Sequence, residues 1–175
     1  MIKSNFLIEK AMTSARVHCR IHFCQELGIE VTDESSEVGE VSRMALRDLT
    51  AIIGLGGSVN LLVAFSFDLS LANRLFERET QGIVISADEC QDFLLATVAE
   101  TANTILGHCT ADLSENGALI AMTPPALIEQ AKILHRPRGT TFARLSFQTA
   151  DGQLDIDFVL PMGAFDLNLD PVSCA

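Results

Sequence analysis

Glu100 and Asn103 stand three residues apart in a stretch whose apolar positions repeat at helical spacing. A carboxylate and a carboxamide therefore project from one side of a helix, a single turn apart and close enough to act on one small target. The carboxylate accepts hydrogen bonds and attracts a cation, while the amide both donates and accepts. Such a pair reads as part of a docking site. Ala96, Thr97, Thr104 and Gly107 surround the pair with small side chains. A solvated helix face normally carries long Lys, Arg and Glu chains, whereas small residues let another backbone approach closely. A bare Glu-x-x-Asn pattern is a common accident, and it gains meaning here from the face that carries it.

Other chemistry is less well supported. Alternation over Val17, Cys19, Ile21 and Phe23 against His18, Arg20, His22 and Cys24 fits a strand, which would put His18, His22 and Cys24 on one face. No fourth ligand accompanies them, so ordinary edge-strand residues are expected rather than a metal site. Cys109 beside His108 cannot serve as a nucleophile and its base, because neighbours on a helix diverge by about 100°. Gly54, Gly56 and Gly57 are followed by no Lys-Ser/Thr pair and open no helix, so they indicate a turn, not a phosphate loop. The five cysteines are odd in number, irregularly spaced and without a CxxC pair. Reduced thiols are expected, with neither a disulfide framework nor a closed zinc site.

The elements that must position Glu100 and Asn103 follow from periodicity. A helix over residues 88–109 carries Leu94, Leu95, Val98, Ala102, Ile105, Leu106 and Cys109 as a continuous apolar stripe, with Ser86 or Asp88 as its start. Phe6, Leu7, Ala11, Met12 and Ala15 predict a first helix over residues 5–16, followed by a strand or extended segment within residues 17–31. The acidic stretch 32–40 is expected to be a loop. Residues 41–67 hold two β-rich runs divided by the glycine cluster, a hairpin, and residues 69–76 a short helix capped by Asp68. Pro124-Pro125 ends a strand-like segment, and Asp151-Gly152 signals a type I′ hairpin within residues 140–161. Helix, strand and hairpin thus occur in the same order in residues 4–67 and 88–160, as an internal duplication would produce.

A length of 175 residues suits one domain, and 48% apolar content suffices for its core. Charged residues make up only 20%, without the long polar stretches of a disordered chain. Apolar runs fall short of the roughly 20 residues needed to span a bilayer, and the N-terminus lacks a basic region leading into an apolar core. A cytoplasmic protein is expected. The net charge of -11 disfavours nucleic acid and anionic membranes, and the absence of Trp and Tyr weakens single-strand stacking further.

The stretch Glu100-Thr101-Ala102-Asn103-Thr104-Ile105-Leu106-Gly107 resembles the ExxN signature of the CheX, CheC and FliY chemotaxis phosphatases, and the element order resembles theirs over most of the chain. The resemblance implies one α+β domain over residues 1–175. Its pseudo-duplicated helix-plus-three-strand units would form a long, mostly antiparallel sheet packed with long helices. It also implies that this helix enters the active site of a phosphorylated CheY-like receiver domain. Asn103 would hold a water in line with phosphorus and Glu100 would pair with the receiver's lysine, with Ala96, Thr97, Thr104 and Gly107 as the docking surface. Mg²⁺ would belong to the receiver, with no cofactor bound by this chain, and a homodimer is implied. One departure stands out: family members carry Asp or Ser where this sequence has Ala96, with Thr97 a poor substitute because it points about 100° away. In the first helix the matching positions are Glu9 and Met12, which implies one active half. The alternatives are a CheX-like module that binds a receiver without turnover, and a structural component of a motility switch.

Overall fold

Met12, Ala15, Cys19 and Phe23 are all buried, and this spacing of three or four residues carries the first helix well past residue 16. In the computed structural model, which describes residues 2–39, 43–114, 119–130, 133–135 and 141–160, α1 spans Ile2–Arg20 and continues as a π-helical turn, Ile21–Glu26. The strand expected within residues 17–31 is therefore helix for most of its length. The alternation there misled because Val17, counted among its apolar positions, is half exposed. The acidic loop expected at 32–40 is also corrected. Val31–Gly39 forms β1, an edge strand whose Glu34 gathers Arg16 and Arg20 from α1, the latter at 2.9 Å.

The chain continues through β2 (Arg43–Ala45), β3 (Leu49–Gly57), β4 (Leu61–Phe67), α2 (Leu69–Glu79), α3 (Cys90–Leu113), β5 (Ile120–Met122), β6 (Ala126–Glu129), β7 (Ile133–His135), β8 (Thr141–Thr149) and β9 (Gly152–Leu160). Seven strands form one antiparallel sheet in the order β1-β8-β9-β4-β3-β5, with β6 also on β3. Pro124-Pro125 divides β5 from β6, as expected of residues that lack a ladder donor. A separate two-stranded ribbon pairs β2 with β7. The result is the α+β fold expected.

Both hairpins occur, with changed turns. Gly54 and Gly56 lie inside β3, and of the cluster only Gly57 has a positive φ, 103°. At the second hairpin Gly152 has φ 137° while Asp151 does not have a positive φ, so the type I′ turn, which needs both, is replaced. The outer limits of that hairpin, residues 140 and 161, lie outside the described residues.

One sheet face packs on the helices. Phe65, Phe67, Phe147 and Phe158 are fully buried there beside Phe23, Leu71, Leu75, Ile105 and Leu106. Each such side chain contributes about 1.5–3 kcal/mol on burial. The opposite face carries a smaller apolar cluster of Leu46, Ala64, Phe142 and Val159 and a charged network. Arg144 donates from Nε and Nη2 to Asp157 at 2.6 and 2.9 Å, and Arg47 bridges Asp155 at 2.7 Å and Asp68 at 2.6 Å. Asp68 is thus engaged by Arg47 and by the Gln153 amide, and makes no side-chain cap on α2. Asp48 Oδ2 instead accepts the Leu69 N–H at 2.9 Å. The segment of residues 47–48 therefore fixes where α2 starts, and so where its last residue, Glu79, arrives.

Candidate functional site

Burial of Leu94, Val98, Ala102, Ile105, Leu106, Cys109 and Leu113 holds α3 against the sheet and the other two helices. Its start lies just beyond the expected Ser86 or Asp88, with Glu89 at the cap position and the Ser86 hydroxyl engaging the Glu89 carboxylate. Its end lies four residues beyond Cys109, at Leu113.

The outward face is the one anticipated from spacing. Ala96 and Glu100 are exposed, and Asn103, Thr104 and Gly107 are half-buried. Thr97 departs from it: at 5% exposure it is turned inward, so it belongs to the helix packing and not to an exposed docking surface. The Glu100 carboxylate accepts only a long hydrogen bond, 3.4 Å, from the Thr104 hydroxyl one turn on. No hydrogen bond engages the Asn103 amide among the described residues. Among the described residues both groups thus keep hydrogen-bonding capacity available to a visitor. A Cβ on Gly107 would meet no atom of the described residues within 4 Å, so this glycine is not a close packing point among them.

The surroundings are electrostatically asymmetric. Glu79, from the last turn of α2, takes the Thr101 hydroxyl at 3.3 Å. Burial pushes the Glu79 carboxyl above its ordinary range; His22 and Thr101 oppose the shift and the Glu100 charge adds to it. Farther along α3, Asp112 accepts from Ser14 at 2.6 Å and meets His18 Nε2 at 2.9 Å, while His18 stacks on His108 with ring centroids 5.1 Å apart. These two contacts hold the Asp112 carboxyl below its ordinary value, Ser14 contributing most. Ser14 donates to the aspartate, not to the histidine, so the trio is a helix clasp and not a nucleophilic triad.

The remaining candidates separate. His18 and His22 occupy successive turns, on α1 and its π-helical continuation, and Cys24 is exposed, so the three do not share a strand face. Cys109 is buried, with its thiol pushed up to about 11, chiefly by that burial. On α1, Glu9 is exposed but Met12, three residues on, is apolar and buried, so the Glu-x-x-Asn pair is not repeated there. Glu79 and His22 were not legible as neighbours of Glu100, because only tertiary packing brings α1, α2 and α3 together there. Cys174 lies outside the described residues.

Comparison with known proteins gives a consistent picture. Residues 49–148 match the family described as Chemotaxis phosphatase CheX. Among curated proteins, none gives a significant match. The chemotaxis protein CheX of Desulfovibrio desulfuricans superposes with a TM-score of 0.70 at 18% identity, covering 89% of this chain and 99% of that one. A CheC-like superfamily protein from Shewanella superposes at 0.71 with 13% identity, covering 87% and 98%. A chain of the CheX–CheY–BeF3–Mg²⁺ complex of Borrelia burgdorferi superposes at 0.67 with 18% identity, covering 89% and 97%. These solved structures share the fold, and the match across more than half of the sequence shows that the chain belongs to the CheX family of chemotaxis phosphatases.

Proposed function

We propose that this protein removes the phosphoryl group from the phospho-aspartate of a CheY-like receiver domain. The observation that carries the reading is the pair Glu100 and Asn103, one turn apart on an outward face of α3, engaged among the described residues only through the 3.4 Å bond from Thr104 to Glu100. Hydrolysis of an acyl phosphate demands in-line placement of water and charge compensation more than covalent participation. Asn103 holds the attacking water through its amide, and Glu100 pairs with the lysine of the receiver and sets the register of the helix. Mg²⁺ and that lysine belong to the receiver, so this chain supplies orientation only. Kinship with a protein solved in a complex with CheY supports the choice of partner. We further assign the protein to the cytoplasm, where receivers reside, as a homodimer.

The test follows the decay of receiver domains from the same organism, phosphorylated with labelled acetyl phosphate and Mg²⁺. The protein accelerates decay, Asn103→Ala abolishes the acceleration while leaving docking largely intact, and Glu100→Ala weakens docking. One observation favours a second reading: Ala96 is exposed on this face, at the position where the family resemblance implies Asp or Ser. A receiver that binds without any gain in decay rate identifies a binding module that has lost turnover.

A further inference from the structure

Three helices converge beneath Glu100. His22, on the π-helical turn that ends α1, is 8% exposed. Its Nδ1 lies 2.7 Å from Glu26 Oε2, and since a carboxylate only accepts, Nδ1 carries the proton of that bond. Its Nε2 is buried without a hydrogen-bond partner. The atom facing it is Glu79 Oε1, 3.9 Å away, about 1 Å beyond hydrogen-bond length. That same Oε1 takes the hydroxyl of Thr101, the residue following Glu100. Two lone pairs cannot bond each other, whereas a proton on either Nε2 or Oε1 makes them donor and acceptor.

We propose that Glu79 and His22 are positioning residues that share one proton across this gap and so fix the part of α3 carrying Glu100 and Asn103 against α1 and α2. The functional half of this inference rests on the reading of that face as the receiver-docking site. The raised protonation range of Glu79, set first by burial and increased by Glu100, supplies a carboxyl able to hold the proton. The charged groups around the ring are Glu26 on its own turn, Glu79 from α2, and Glu100 from α3 acting on Glu79. The π-helical turn itself is uncommon and recurs at functional sites, and here it carries His22.

Glu79→Gln keeps the size of the side chain and its contact with Thr101 while removing the titrating oxygen. Nitrogen-resolved NMR of the His22 ring against pH, in the natural protein and the variant, reads the shared proton directly. The pH response of the His22 ring nitrogens differs between the natural protein and E79Q, and the amide signals of Thr101 and Asn103 change together with the ring in the natural protein. In the receiver-decay assay E79Q loses about three- to tenfold in kcat/KM at an unchanged melting temperature. His22→Gln places a fixed N–H near Nε2, retains activity and flattens its pH profile. Identical ring titrations in the natural protein and E79Q, or α3 amides indifferent to them, overturn the proposal. Full kcat/KM in E79Q beside an active natural protein overturns it as well. If the natural protein leaves receiver decay unchanged while ring and α3 amides titrate together, the phosphatase reading falls and the positioning of α3 stands.

Discussion

Replacing Gly107 by alanine separates the stability of α3 from its use as a docking surface. The residue lies well inside the helix, its φ is not positive, and an added methyl meets nothing within 4 Å. Alanine is favoured over glycine in a helix interior by about 1 kcal/mol. With no steric cost to set against that gain, Gly107→Ala stabilises the protein by about that amount, raising Tm by about 2–4 °C at this chain length. The same methyl occupies the surface that a partner helix or loop must approach. Overpacking a close contact costs about 1–3 kcal/mol, so KM for the phosphorylated receiver rises about fivefold or more while kcat holds. Thermal unfolding and concentration-dependent receiver decay, measured on the same preparations, read both quantities. A variant that is stabilised with unchanged KM puts Gly107 outside the docking surface, and a destabilised variant refutes the open space around it.

Gly57→Ala acts in the opposite direction: its φ of 103° and a built Cβ only 2.5 Å from the Leu119 carbonyl oxygen predict a loss of about 1–3 kcal/mol in urea unfolding. Asp112 has a folded pKa below its unfolded value, so its contribution is complete above the ordinary carboxylate range and is lost as pH falls through the folded pKa. Acid titration of stability therefore shows a steeper decline in the natural protein than in Asp112→Asn. Maleimide labelling at neutral pH modifies exposed Cys24 and spares Cys19 and Cys109 until unfolding, because burial raises both thiols, that of Cys109 to about 11.

Periodicity located what is half-buried and missed what is not. The stripe of α3 and the alternation within β8 and β9 are strong because core-facing residues recur at the period of each element, so the helix appears within a few residues of its expected limits, while the first hairpin begins at Leu49 instead of residue 41. β1 escaped notice since its residues are mostly polar and its hydrogen bonds run to β8 on one side only. α1 was cut short by an alternation of types, although the buried set Met12, Ala15, Cys19 and Phe23 already kept helical spacing. At the site, Glu100 and Asn103 were readable because one helix presents both. Thr97 was assigned to the wrong surface because a helical wheel does not reveal that α2 packs beside α3. Glu79 and His22 come from segments far apart in sequence, and no local pattern ties either to residue 100.

The strand order carries a consequence for synthesis. β1 and β3, both made early, find their outer neighbours only in β8 and in β5 and β6, which are made late. A nascent chain that has just completed β4 therefore exposes three unsatisfied ladders of the main sheet, on β1, on the outer side of β3 and on the β9 side of β4, and none can close until the later strands leave the ribosome. Such long-range closure is slow and sensitive to interruption, so truncation near residue 114 yields an aggregating fragment instead of a stable half-domain.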